Sequence, residues 1–365
     1  MPLSPEEIGR YQRHLSLPGF GAPAQEKLKA SSVLVIGAGG LGCPALLYLA
    51  AAGVGRIVVV DDDVVDASNL QRQVLYADAD RGARKADAAA LRLSALNPLV
   101  QVEALAVRFT RSNALALVRS CDVVVDGSDN FATRYLVNDA CVIAGRPFVY
   151  GAIQGFEGHV SVFNYKGGPT YRCLFPEPPE PGTVPSCAEA GVLGAVTGVI
   201  GALQACEAIK VIAGIGEPLS GRLLVWNALS MTSALVGLKA DPKARQVTEL
   251  PPEGYGETCA PEGPLNEIDA KDLAELMRTG SRLQLLDVRE GWERQQGAIQ
   301  PSAHIPLGRL ETISTRDLPS LDAAVPTIVY CAVGVRSLRG MQILRERHGF
   351  TSAVSLRGGI RAWAR

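Results

Sequence analysis

The stretch Ser32-Val33-Leu34-Val35-Ile36-Gly37-Ala38-Gly39-Gly40-Leu41-Gly42 decides the fold. Five residues that read as a buried strand run straight into a glycine cluster, and Gly42–Ala52 behind it reads as a helix. In a strand–turn–helix context such glycines let the backbone approach phosphates, while the helix N-terminus offers N–H donors and partial positive charge. Gly37, Gly39, Gly40 and Gly42 are therefore candidate nucleotide contacts. Asp61 ends the next strand, where a carboxylate can take ribose hydroxyls. These features alone imply dinucleotide or adenosine binding, with NAD as the first candidate.

Outward from this point strands and helices alternate. Arg56–Val60, Val102–Leu105, Cys121–Asp126 and Pro147–Tyr150 read as strands; Arg84–Leu96 and Phe131–Ala144 read as helices. That order predicts an α/β, doubly wound sheet. Upstream, Ser4-Pro5-Glu6-Glu7 is a capping box opening a helix through about His14. After Gly151 the pattern turns antiparallel, with strands at Gly158–Tyr165 and Arg222–Trp226, making the sheet mixed. Ala190–Ala213 reads as a long buried helix: its apolar run is Gly-rich and ends in Glu207 and Lys210, which argues against a membrane span. A Pro-, Gly- and Glu-rich linker at 246–265 divides a domain at 1–245 from a small α/β domain at 266–365. A flexible linker of about 19 residues has an r.m.s. span of roughly 22–26 Å, enough for domain swinging.

The loop after Asp61 shifts the balance away from NAD. It carries Ser68-Asn69-Leu70-Gln71-Arg72-Gln73, and Lys85 starts the following helix. Two cations with amide donors suit a triphosphate better than a nicotinamide dinucleotide. Asp129-Asn130 follows the fourth strand, so Asp129 is a candidate Mg²⁺ ligand. The competing readings are solvated surface charges for Arg72 and Lys85, and a helix cap for Asp129.

In the tail, Thr327–Tyr330 reads as a strand ending on Cys331-Ala332-Val333-Gly334-Val335-Arg336-Ser337. Backbone N–H groups in so small a loop can converge on the sulfur, and Arg336 would add charge favouring a thiolate or persulfide. Cysteine phosphatases put five residues between nucleophile and arginine; four stand between Cys331 and Arg336, which suits sulfur better than phosphate.

Composition excludes little but excludes it firmly. With 36 basic and 37 acidic residues the net charge is −1, so nothing favours nucleic acid or an anionic membrane. The N-terminus has neither the basic end nor the apolar core of a signal peptide. Eight cysteines (43, 121, 141, 173, 187, 206, 259, 331) form no CxxC pair, and free thiols in a cytoplasmic setting are the expectation.

The glycine loop, Ser68–Gln73, Lys85, Asp129-Asn130 and Val184-Pro185-Ser186-Cys187-Ala188-Glu189-Ala190-Gly191-Val192 together resemble the MoeB/ThiF adenylyltransferases, relatives of the ubiquitin-activating (E1) enzymes. The resemblance covers about Leu3 to Leu250. From about Ile268 the chain resembles a rhodanese domain, through Leu286-Asp287-Val288-Arg289-Glu290, Ala303-His304-Ile305-Pro306, the Cys331 loop and Leu356-Arg357-Gly358-Gly359-Ile360-Arg361-Ala362-Trp363. The whole resembles fused MoeB–rhodanese proteins.

The resemblance implies a Rossmann-like E1 adenylation fold joined to a sulfurtransferase. Gly40, Asp61, Ser68, Asn69, Leu70, Gln71, Arg72, Lys85, Asp129 and Asn130 would bind ATP and Mg²⁺, and Arg13 would reach the phosphates of the neighbouring subunit in a homodimer. The substrate would be a ubiquitin-like sulfur carrier ending in Gly-Gly, from a molybdenum-cofactor, thiamine, cysteine or tRNA-thiolation pathway. Cys331 would carry a persulfide received from a donor such as a cysteine desulfurase. Cys187 would form a thioester or attack the persulfide. One departure stands out: relatives often hold zinc with two CxxC pairs, whereas here the first reads Thr170-Tyr171-Arg172-Cys173 and only Cys259 remains for the second. His14 and His159 lie in no ligand spacing, so no structural zinc is expected, and packing or a dimer interface must hold the crossover loop. The alternative reading is an NAD-dependent oxidoreductase with a non-catalytic rhodanese-like docking module; it leaves Cys331 with Arg336 unexplained and offers no hydride-site His or Tyr.

Overall fold

Strand β1 (Ser32–Ile36) is buried from its second residue onward, which is why its sequence shows no polar alternation. It lies between β2 (Arg56–Val60) and, on its other side, β4 (Val123–Asp126); β3 (Gln101–Leu105) flanks β2 and β5 (Phe148–Gln154) flanks β4, all parallel. The sheet continues antiparallel through β6 (Glu157–Phe163), β7 (Arg222–Asn227) and β8 (Thr232–Gly237). The order β3-β2-β1-β4-β5-β6-β7-β8 is the mixed, doubly wound sheet expected. Ile36 pairs with Val60 on one side and Asp126 on the other, so the carboxyl ends of β1, β2 and β4 lie level at the point where strand order reverses.

The computed structural model describes residues 2–178, 191–251, 255, 267–315, 318 and 321–363, in two compact units divided after the β8 region. Cys187 and Cys259 lie outside the described residues, as does most of the 246–265 segment.

The capping box at Ser4 and Glu7 forms with both hydrogen bonds, but its helix ends at Arg10, short of His14. Tyr11 is the reason. It turns inward, is buried, and its hydroxyl accepts from Asn97 Nδ2 at 2.9 Å, leaving Gln12–Leu15 as a separate turn. The apolar helix Gly194–Ala213 packs on helix Gly42–Ala52 and on β5 and β6. It is long and apolar enough to cross a bilayer, yet Gln204 on it donates to the Asp126 and Val149 carbonyls and Glu207 accepts the Leu219 N–H. Helices Gly21–Ala30 and Arg111–Arg119 and strand β8 had no clear sequence signal. β8 is exposed along its whole length, so it lacks the burial alternation that marks a strand.

In the second unit β9 (Glu267–Ile268), β10 (Gln284–Asp287), β11 (Ala303–His304), β12 (Thr327–Tyr330) and β13 (Val354–Leu356) form a parallel sheet ordered β11-β10-β12-β13-β9. Leu286, Val329, Met341, Leu344 and Phe350 pack its core. Behind β10, Asp287 is buried and accepts from Arg289 Nε at 3.0 Å, Arg289 Nη2 at 2.8 Å and Arg294 Nη1 at 3.4 Å. Burial pushes its carboxyl upward, but the Arg289 hydrogen bonds and charge prevail and hold it below the ordinary aspartate value.

Two outcomes follow from this packing. A Cβ at Gly42 would stand 1.9 Å from the Gly37 carbonyl oxygen, so Gly42→Ala should cost about 2–3 kcal/mol in urea unfolding of the first unit. The Asp287 contribution is complete above the unfolded-state pKa of about 3.9 and is lost as pH falls through the lower folded-state value. Asp287→Asn should therefore destabilise the second unit at neutral pH and flatten its acid limb, read by thermal unfolding across pH.

Candidate active sites

The glycine loop and β4 close on each other where β1 ends. Gly37 has φ +87°, and a Cβ there would meet the Gly127 carbonyl at 2.9 Å. This contact opens a cavity of about 520 Å³ above the carboxyl ends of the strands. Of the candidates from sequence, Gly37, Gly39, Gly40, Asp61, Asn69, Arg72, Lys85, Asp129 and Asn130 line it. Asp61 anchors the loop: one carboxylate oxygen accepts the Ala38 N–H at 2.7 Å, the other the Asp63 N–H at 2.9 Å. Burial raises its pKa against the pull of these two donors.

Both cations are held. Lys85 is buried at the start of helix Lys85–Leu96, with Nζ 2.9 Å from Asp63 Oδ2, while the Asp63 side chain is three-quarters exposed. Arg72 Nη1 donates to the Ser68 carbonyl at 3.1 Å. Lys85 is thus not a solvated surface charge of the kind weighed from sequence, while Arg72 is only partly buried. At β4 the two roles divide: Asn130 caps helix Phe131–Ala144 by accepting the Thr133 N–H at 2.9 Å, and Asp129 presents an exposed carboxylate to the cavity.

Gly42, Ser68, Leu70 and Gln71 do not line the cavity. Gly42 is pressed against Gly37, Ser68 hydrogen-bonds Asp66 in the 3₁₀ turn Ala67–Asn69, and Leu70 packs on the apolar core. The Gln71 carbonyl lies against Gly194. Arg13 is exposed on the turn Gln12–Leu15 and does not line the cavity of its own chain. Gln73, Arg134 and Thr197 do line it without having been singled out. Gln73 stood inside the quoted Ser68–Gln73 run; it is buried with Oε1 unpartnered, and its Nε2 lies 3.7 Å from where a Gly39 Cβ would stand. Thr197, on a helix far along the chain, gave no local signal.

In the second unit Cys331 ends β12, fully buried as a free thiol. Its sulfur accepts the Gly334 N–H at 3.1 Å and lies 3.6 Å from the Ser337 hydroxyl, at the N-terminus of helix Val335–His348. A backbone donor and a helix N-terminus therefore meet at that sulfur. The loop is pinned from behind. Ile360 N–H donates to the Cys331 carbonyl at 2.8 Å, and Gly359, with φ +59°, lies so close that a Cβ would meet that carbonyl at 2.4 Å. This explains the Gly358-Gly359 pair that sequence offered only as a motif.

Arg336, expected from sequence as the positive charge beside the sulfur, also forms a two-pronged ion pair with Glu293, at 2.7 and 2.6 Å. The helix Gly291–Gln295 brings Glu293 to it, a long-range contact that loop spacing cannot reveal.

At the root of the crossover segment, Cys173 Sγ accepts the Thr170 and Asp241 N–H groups, each at 3.3 Å. Arg172 forks onto buried Asp139 at 2.8 Å through Nε and Nη2, and Tyr255 donates to the same carboxylate at 2.8 Å. Tyr135 donates to the Phe175 and Glu177 carbonyls. Packing and hydrogen bonds thus hold residues 170–177.

Comparison with known proteins agrees with these two sites. The ThiF family model matches residues 11–247 and the Rhodanese-like domain model residues 269–365. The chain is 46% identical to the probable adenylyltransferase/sulfurtransferase MoeZ of Mycobacterium tuberculosis, covering all of this chain and 94% of that protein. It is 55% identical to the sulfur carrier protein adenylyltransferase of Thermus thermophilus over 67% of this chain and 92% of that one. Among solved structures, E. coli MccB with MccA-N7isoASN superposes with a TM-score of 0.58 at 23% identity, over 66% of this chain and 74% of that one, a likeness of fold alone. The chain belongs to the ThiF family, carries a rhodanese-like domain after it, and is an ATP-using adenylyltransferase and a sulfurtransferase.

Proposed function

We propose that the first domain adenylylates the C-terminal glycine carboxylate of a ubiquitin-like sulfur carrier ending in Gly-Gly, and that Cys331 supplies the sulfur that turns it into a thiocarboxylate. The observation that carries this reading is the occurrence in one chain of a nucleotide-sized cavity lined by Lys85 and Arg72 and a buried cysteine facing a helix N-terminus.

The carrier carboxylate attacks the α-phosphorus of ATP and pyrophosphate leaves. No general base is needed, because the attacking group is already ionised. Asp61 takes the ribose, and the glycine loop admits the phosphates. Lys85 and Arg72, with Arg13 of a neighbouring copy, neutralise the charge that builds as pyrophosphate departs. Asp129, one of the exposed carboxylates on the cavity wall with Asp62 and Asp63, fits Mg²⁺, which binds through one or two carboxylates plus substrate phosphates. When bound, the cation would supply charge neutralisation on those phosphates.

A persulfide on Cys331, loaded by a donor such as a cysteine desulfurase, attacks the acyl-adenylate carbonyl, forms the C–S bond and expels AMP. Cys187 acts as the second thiol, by forming a thioester before the sulfur arrives or by attacking the acyl disulfide afterwards. Six free cysteines among the described residues support action in a reducing cytoplasm. Structural zinc has no part in this reading; the hydrogen bonds at Cys173 and Asp139 support that. Stoichiometric zinc in the purified protein by elemental analysis would refute it.

Cys331→Ala should leave ATP–pyrophosphate exchange intact and abolish thiocarboxylate formation, scored by the mass of the carrier; equal loss of both would sink the division of labour. Lys85→Ala should slow exchange by about 10²-fold. Mixing Arg13→Ala and Lys85→Ala chains should restore exchange if Arg13 acts across a dimer, since each mixed dimer holds one complete site. Mixtures as inactive as their components would show that Arg13 does not act across a dimer.

A further inference from the structure

A circuit of hydrogen bonds runs beside the nucleotide cavity, and a tyrosine closes it. In the glycine loop the Ala38 N–H donates to Asp61 Oδ2 at 2.7 Å, and the Asp63 N–H donates to the other Asp61 oxygen at 2.9 Å. Asp63 then holds Lys85 twice: its carbonyl accepts the Lys85 N–H at 2.9 Å and its carboxylate accepts from Nζ at 2.9 Å. Tyr76 spans the remaining gap, from Lys85 back to the glycine loop. Its hydroxyl donates to the Ala38 carbonyl at 2.9 Å and to the Lys85 carbonyl at 3.2 Å, one proton shared between two elements that face the cavity.

That hydroxyl is not needed to fill space. Tyr76 is buried in the apolar core, where a phenylalanine ring would occupy the same volume. Burying a phenol oxygen is costly unless it finds a partner. Nor do its acceptors depend on it. The Ala38 carbonyl also accepts from Cys43 Sγ at 3.2 Å, and the Lys85 carbonyl belongs to the hydrogen-bond ladder of helix Lys85–Leu96. Burial pushes the Tyr76 pKa upward, so the group stays a donor. What the hydroxyl adds is a fixed distance between loop and lysine. Asp63 by itself is a weak restraint on the ammonium, with its side chain 74% exposed.

We infer that Tyr76 is a positioning residue for adenylylation: by joining the Ala38 and Lys85 carbonyls through one hydroxyl, it holds the Lys85 ammonium in register with the glycine loop. This rests on the adenylylation proposed above. Lys85 stands at the first position of its helix and lines the cavity, so a shift of that helix start moves its charge relative to the phosphates. Misplacing a positioned group by about an ångström can cost on the order of 10²-fold in rate.

The test follows ATP–pyrophosphate exchange by the full chain, with a ubiquitin-like sulfur carrier ending in Gly-Gly as the carboxylate. Tyr76→Phe should lower kcat roughly tenfold and leave the KM for ATP within about twofold of wild type. That split belongs to a group misplaced in the transition state rather than lost from ground-state binding. In a Lys85→Ala chain the same change should cost less than about twofold, because the tie then has no ammonium to place. An unmoved kcat in Tyr76→Phe, or the full tenfold loss repeated in the Lys85→Ala chain, overturns the proposal. So does a Tyr76→Phe chain that circular dichroism shows to be unfolded, since the hydroxyl would then serve the fold and not the site. A wild-type chain that exchanges no pyrophosphate in the presence of the carrier would instead sink the adenylylation reading, an outcome distinct from an unmoved kcat.

Discussion

The contact between Gly37 and Gly127 is the constraint on which the first domain depends. Adjacent strands of a parallel sheet end side by side, and side chains on the loops leaving them normally hold those loops apart. Here a Cβ at Gly37 would stand 2.9 Å from the Gly127 carbonyl, and one at Gly42 would overlap the Gly37 carbonyl. Because all three lack it, the loops after β1 and β4 touch and the helix Gly42–Ala52 starts directly beneath them. The crevice then falls at the switch in strand order, with Asp61 from β2 and Asp129 after β4 on its walls.

The same economy governs charge. Lys85 is buried against Asp63, and Arg336 is forked onto Glu293. A buried cation without a partner is costly, so each carboxylate stabilises its cation before any substrate arrives. The two pairs differ in a way that matters. Asp63 is largely exposed, so phosphate can compete with it for Lys85; Glu293 is nearly enclosed and accepts from one guanidinium with both oxygens.

Most of the architecture was legible from periodicity. Strands Ser32–Ile36, Arg56–Val60 and Thr327–Tyr330 and helices Gly42–Ala52 and Phe131–Ala144 stand where the residues alone put them, because buried parallel strands and glycine-bounded helices leave strong local patterns. What was missed has weak local signal: the fully exposed edge strand β8, the two- and three-residue strands β11 and β13, and the helix Arg111–Arg119. The helix break at Tyr11 was equally hidden, since it is set by Asn97, distant in sequence.

Both kinds of chemistry are written in local residue spacing, because glycine loops after strands, paired cations and a cysteine in a short strand–helix loop are local devices whose spacing carries their meaning. Tertiary structure alone decided which of those residues face the cavity and which support it: Gly42, Ser68, Leu70 and Gln71 belong to the scaffold, and Gln73 and Thr197 to the wall. It also decided the partner of Arg336, which Glu293 meets from another element. Contacts between residues distant in the chain follow from packing, and no local pattern of residue types encodes them.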